Sequence, residues 1–152
     1  MSSSRRVRVP GAAALAVLLA ACATAEAQRE PGWEVRVPDR VDVAAGATAP
    51  LAIALAVDRG LAISRDADLI VDLDAEPGVA TRKKRLGRRD AVDPEADAPR
   101  FAVPVRGDAA GDHAVRLRVR FWVCGARSCR PIDVRRTVTV AVAAAPTVDA
   151  GP

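Results

Sequence analysis

Between residues 115 and 142 apolar and polar side chains alternate almost without interruption. Val115, Leu117, Val119, Phe121 and Val123 occupy every second position, and Arg116, Arg118, Arg120 and Trp122 fill the gaps. A second run follows, with Val134, Arg136, Val138, Val140 and Val142 on one face and Arg135, Thr137 and Thr139 on the other. A period of two is the pattern of a half-buried strand, because successive side chains of extended backbone point to opposite faces. Two such strands joined by a short segment bearing Gly125 and Pro131 read as a hairpin. Cys124 and Cys129, with four residues between them, fall at its mouth. Parity sets Cys124 on the arginine side of the first strand, opposite the core and near the surface.

The rest of the chain follows the same rule. Short alternating or β-rich stretches occur at residues 33–37, 41–43, 51–57, 61–63, 68–73 and 101–105. Pro38, Gly46, Asp58-Arg59-Gly60, Glu76-Pro77-Gly78 and residues 107–111 supply stops and turns between them. Pro104 lies inside a run, which predicts an edge or bulged strand. No stretch has a convincing amphipathic helical period. Seven to nine short strands predict an all-β fold, an immunoglobulin-like antiparallel β-sandwich over residues 33–143. Aromatics are 3% of the chain and tyrosine is absent, so the core must be built from Val, Leu, Ile and Ala. Residues 79–99 are the least regular. Arg82, Lys83, Lys84, Arg85, Arg88 and Arg89 are followed by Asp90, Asp93, Glu95 and Asp97. The segment reads as a solvated loop whose charge blocks offset each other, with a docking patch for an acidic partner as the functional alternative.

The amino terminus has an export signature. Arg5, Arg6 and Arg8 precede an apolar run over residues 11–21 that is too short to span a bilayer comfortably. Residues 1–21 are therefore expected to be a signal, residues 22–32 a flexible tether and residues 144–152 a disordered tail. Leu19-Ala20-Ala21-Cys22 resembles the bacterial lipoprotein signal, which implies lipidation of Cys22, a lipid anchor as the only membrane attachment, and a periplasmic, outer-membrane location. Cleavage after Ala25 or Ala27 is the alternative. Either way the chain is expected in an oxidising space where disulfides persist. The formal charge of +4 does not argue for nucleic acid: without the three leader arginines, 20 basic residues face 19 acidic ones, a net charge of +1.

Three roles are open to the cysteine pair. As a clamp, it would join facing residues of a hairpin, whose Cα atoms lie about 4.5–5.5 Å apart. So small a loop adds only about 2 kcal/mol on the chain-entropy model. As a redox pair, it would need a reachable thiolate, and Arg127 and Arg130 flank it as candidate pKa-tuning cations. A metal site would need about four ligands, and past Cys22 the chain offers two cysteines and His113, so no metal or other cofactor is expected. His113 itself reads as a surface turn residue, roughly 30 Å along the strand from Cys124.

The segment Phe121-Trp122-Val123-Cys124-Gly125-Ala126-Arg127-Ser128-Cys129-Arg130-Pro131 resembles the N-terminal periplasmic domain of the bacterial thiol:disulfide interchange reductase, the DsbD type. The resemblance implies an immunoglobulin-like fold and a Cys124–Cys129 pair that cycles between dithiol and disulfide. It implies a thioredoxin-like periplasmic protein or a membrane thiol:disulfide carrier as partner, and an oxidoreductase-like exchange activity. The chain departs from the family in lacking an aromatic residue in its long loop at 79–99 to shield the pair. The alternative is an envelope binding or scaffold domain whose hairpin disulfide is purely structural.

Overall fold

The structure is a computed structural model and describes residues 32–146. The expected signal, Cys22, most of the tether and the end of the tail lie outside the described residues. Ten strands follow in order: β1 (Trp33–Arg36), β2 (Arg40–Ala44), β3 (Thr48–Val57), β4 (Ala62–Ile63), β5 (Ile70–Ala75), β6 (Val79–Thr81), β7 (Arg85–Gly87), β8 (Arg100–Gly107), β9 (Gly111–Cys124) and β10 (Cys129–Ala143). One sheet runs β1-β3-β8-β6, and the other runs β2-β10-β9-β5-β7 with β4 paired to the end of β9. The two sheets pack face to face as an immunoglobulin-like β-sandwich.

Pro38 ends β1, as its missing N–H dictates, and the chain then changes sheets. β2 pairs parallel to β10, the one departure from the expected antiparallel pattern among the named strands. The core is the set of inward positions that alternation marks. Leu51, Ile53 and Leu55 of β3 and Phe101, Val103 and Val105 of β8 face Val115, Leu117, Val119, Phe121 and Val123 of β9. Trp33 meets Phe121 edge to face, with ring centroids 5.9 Å apart. Each fully buried aliphatic side chain contributes about 1.5–3 kcal/mol, so the sandwich needs few aromatics.

Four expectations are corrected. The described residues hold ten strands rather than seven to nine, because two short ones formed where alternation is too brief to read. Pro104 is not in an edge or bulged strand: β8 lies between β3 and β6 with unbroken register, and Pro104 faces Pro50 of β3. Two prolines can face each other only where the residues exchange no ladder bond, and neither β1 nor β6 reaches that level of the sheet. Arg136 has inward parity yet is exposed, because β2 runs alongside β10 only from Thr139 onward. The fourth correction is residues 79–99, which hold β6, β7 and a 3-10 turn (Arg88–Asp90) rather than an open solvated loop.

Arg88 organises that segment. Its Nη1 donates to the carbonyls of Pro94 and Ala96 at 3.0 and 3.1 Å. Its Nη2 donates to those of Ile63 and Ser64 at 2.9 and 3.0 Å. Burial, with Arg65 nearby, pulls its pKa below the ordinary arginine value. Lys83 pairs with Asp90 at 2.5 Å, Arg85 with Asp72 at 2.6 Å and Arg100 with Asp93 at 2.9 Å, so much of the charge cluster is matched within the fold. Replacing Arg88 by Met keeps the aliphatic stem but leaves four carbonyls without their donor. Urea denaturation of Arg88→Met is expected to show a loss of about 2–3 kcal/mol.

Candidate functional site

β9 and β10 pair in continuous register from Cys124 opposite Cys129 to Gly111 opposite Val142. The cysteines are thus directly facing residues at the open end of the ladder. The Gly125 N–H donates to the Ser128 carbonyl at 3.0 Å, which makes those two the bonded pair of the turn. Cys124 and Cys129 then form a close, non-bonded pair, with Cα atoms 4.0 Å apart. Their sulfurs are joined in a disulfide with an S–S distance of 2.01 Å. Both lie on the outer face of the sheet, as parity predicts. Cys129 is exposed and Cys124 half-buried.

What covers Cys124 is β4. Ala62 faces Cys124 and Ile63 faces Val123 on the side of β9 away from β10. Ser64 N–H donates to the Trp122 carbonyl at 2.9 Å, and Ile63 N–H donates to the Asp97 carbonyl at 2.9 Å. Leu61, just ahead of β4, lies between two glycines. A Cβ on Gly125 would stand 3.1 Å from its Cδ2, and one on Gly32 would stand 3.0 Å from its Cδ1. The turn is closed by the Leu61 N–H, which donates to the Asp58 carbonyl at 3.0 Å, and the Asp58 carboxylate accepts from the Gly32 N–H at 3.1 Å. The segment beside the disulfide is therefore residues 58–64, with Leu61, Ala62 and Ile63 following the turn at Arg59-Gly60. Residues 88–97 stand behind it through Arg88 and Asp97.

Along the outer face, Trp122 faces Pro131 in the row next to the disulfide. Trp122 keeps 41% of its surface exposed. The arginines that share this face come next, and each is matched. Arg120 binds Asp72 at 2.7 Å, Arg118 binds Asp133 through two nitrogens, and Arg116 binds Glu76 at 2.8 Å. The hydrogen bond from Arg118 holds the Asp133 carboxyl below the usual aspartate range. Asp72 is held low by Arg85 first and then Arg120, and Glu76 by the Ala114 amide and then Arg116.

Of the two flanking cations, Arg127 is exposed in the turn. Arg130 faces Val123, so by parity it is on the sheet face opposite the sulfurs, and its Nη2 lies 3.1 Å from the Cβ position of Gly32. His113 is half-buried at the start of β9 rather than free in a turn. Its Nε2 is 2.8 Å from the Ala109 carbonyl and its ring rests on Gly78, where a side chain would collide with it at 2.2 Å. It is far down the strand from the cysteines. Among the described residues no three His, Cys, Asp or Glu side chains are grouped to hold a metal ion.

The sequence marks a short strand at 61–63 and places Arg88 in a charged run, but it does not place Arg88, Leu61 or β4 beside the cysteine pair. Arg88 carries no signal that separates it from its basic neighbours. The pairing of Ala62 with Cys124 is a long-range event that alternation within a two-residue strand cannot announce.

Neither a protein-family model nor a curated protein matches the chain. Solved structures with a similar chain path include trypsin-activated alpha-2-macroglobulin from Escherichia coli, 14% identical with a TM-score of 0.44 over 72% of this chain. This chain spans 7% of that protein's length. Murine CRIg is 7% identical with a TM-score of 0.42, over 73% of this chain and 98% of that one. AggA, the major subunit of aggregative adherence fimbriae type I from Escherichia coli, is 8% identical with a TM-score of 0.36, over 73% and 95%. These likenesses concern the chain path alone and assign no activity.

Two outcomes test the site's energetics. Cys124→Ser with Cys129→Ser is expected to fold with the same circular dichroism and to lose about 2 kcal/mol, read from the urea midpoint. Acidification is expected to weaken the fold through Asp72, Glu76 and Asp133. Each has a folded pKa below its ordinary value of 3.8 for aspartate or 4.5 for glutamate. A depressed carboxyl stabilises above the unfolded pKa and loses that contribution as pH falls through the folded one. The urea midpoint should therefore hold between pH 7 and pH 5 and drop by pH 3.

Proposed function

We propose that this chain is an extracytoplasmic immunoglobulin-like binding or scaffold domain whose Cys124–Cys129 disulfide fixes the end of the β9–β10 hairpin. The observation that carries this reading is register: the two cysteines are facing residues of one unbroken ladder, held from the other side by β4. The export reading rests on the charged and apolar leader and on a disulfide, which persists in oxidising compartments. Lipidation at Cys22 and an outer-membrane location belong to the same proposal. Among the described residues no helix is long and apolar enough to cross a membrane.

A second reading is favoured by one specific observation, the exposure of Cys129 at the hairpin tip beside Trp122. It is thiol–disulfide exchange, as the resemblance to the reductase's periplasmic domain implies. In the reduced state one thiolate of the pair attacks a partner's disulfide. A mixed disulfide forms and one partner thiolate leaves. The second cysteine then attacks its bonded neighbour, restores the Cys124–Cys129 bond and releases the partner as a dithiol. Two electrons pass to the partner, and the reverse sequence returns them. A thioredoxin-like protein or a membrane thiol:disulfide carrier fits that role.

Equilibration of the full chain with dithiothreitol separates the two readings. The scaffold reading expects a reduction potential below about −300 mV, and exchange expects one near about −180 mV. Mixed-disulfide trapping with the single variants Cys124→Ser and Cys129→Ser, using a thioredoxin as bait, should be negative for a scaffold and positive for an exchanger.

A further inference from the structure

The edge of β10 below Thr139 carries a second site. β2 begins at Arg40, opposite Thr139. Among the described residues no strand lies beside the preceding stretch of β10 on that side. The Thr139 N–H points to β2, where it donates to the Asp39 carbonyl at 3.0 Å. Alternation then directs the backbone groups of Thr137, Arg135 and Asp133 to the same open side. Pro131 occupies the next such position, where its missing N–H costs no bond to β9 and ends the run of donors. Three consecutive outward positions thus extend the line of β2 with no strand attached among the described residues.

The flanking charge selects the occupant. Arg135 lies on the outer face and Arg136 on the inner rim, both exposed. Neither forms a salt bridge among the described residues, although Arg135 is near enough to Asp133 to help hold its carboxyl low. The Asp133 carboxylate between the strands is already taken by Arg118 at 2.5 Å. The Arg136 Nη1 folds back onto the Arg135 carbonyl at 2.9 Å and caps that outward acceptor. An incoming backbone N–H can replace it, which frees the guanidinium for a carboxylate on the new strand. Antiparallel pairing of two copies centred on Arg135 sets Arg135 against Arg135, and pairing centred on Val134 sets Arg135 against an Asp133 that Arg118 already holds, so a second copy offers these arginines no free carboxylate.

We propose that the Asp133–Thr137 edge of β10 binds an extended acidic segment of a partner protein by strand addition, in line with β2. The proposal rests on the binding-domain reading and names its mode of binding.

The test uses the full chain labelled with nitrogen-15 and two synthetic seven-residue probes, Thr-Val-Glu-Val-Glu-Val-Thr and the same peptide with Lys for Glu. The amides of Asp133, Arg135 and Thr137 should exchange quickly in the free chain, while those of Val134, Arg136 and Val138, bonded to β9, exchange slowly. The glutamate peptide should slow the first set. The lysine peptide should bind about tenfold more weakly, and Arg135→Glu with Arg136→Glu should reverse the preference. Thr137→Pro removes one outward donor without touching the β9 ladder and should abolish binding. Intact slow exchange at Val134 and Val138 reports that this variant is folded.

Three results overturn the proposal. Protection of the outward amides already in the free chain means that the edge is occupied by the chain itself or by a second copy. Failure of the glutamate peptide to slow them means that no strand is added. Binding that survives Thr137→Pro means that charge alone attracts the peptide. The reduction potential is a separate readout. A low potential without peptide binding removes the edge site and spares the scaffold reading, whereas a high potential removes the scaffold reading whatever the peptide does.

Discussion

The ladder between β9 and β10 is the constraint on which the rest depends. It joins Gly111–Cys124 to Cys129–Ala143 through consecutive facing residues. β9 is bonded on both sides, to β10 along its length and to β5 and β4 on the other edge. Its inward residues are all buried from Val115 to Val123. A slip of one residue would turn that row outward and drive Arg116, Arg118 and Arg120 into the core. The position of the cysteine pair follows directly, because the register that buries the valines also sets Cys124 against Cys129. The disulfide records the register more than it creates it.

The outer face carries the complementary pattern. Arg120, Arg118 and Arg116 reach acids on β5, β10 and the turn after β5, and Arg85 of β7 shares Asp72 with Arg120. Exposed ion pairs of this kind contribute little each, about 0–1 kcal/mol. The pairing also removes these arginines as a free positive field around the disulfide. Arg88 works differently. It is partly buried, bonds carbonyls rather than carboxylates, and braces β4 against residues 94–96. Through β4 that brace reaches the backbone of Cys124.

The alternating runs at 51–57, 101–105, 115–123 and 134–142 show their strands and inner faces without reference to any other part of the chain. Val79–Thr81 and Arg85–Gly87 do not, because three residues are too few to display a period. Arg136 reads as inward on its own strand. It is exposed because β2 stops short of it, and that is a fact about another segment. Pro104 reads as an edge marker, yet β8 is an inner strand, and the proline is tolerated because it faces Pro50 where no ladder bond is needed and β6 has already ended. The candidate site divides in the same way. Cys124, Cys129 and their outward parity are legible locally. The pairing of Ala62 with Cys124, and the removal of Arg130 to the other face, are not.

By itself the sequence determined the class of fold, the inner and outer faces of the long strands and the place of the sulfur pair at a hairpin's end. These follow from side-chain alternation, which is a property of neighbouring residues. The tertiary structure decided which strands lie side by side, that β4 and not the charged loop stands against Cys124, and that among the described residues no strand pairs with β10 below Thr139 on the β2 side. Those outcomes depend on where segments distant in the chain begin and end relative to one another. Local periodicity holds no information about that.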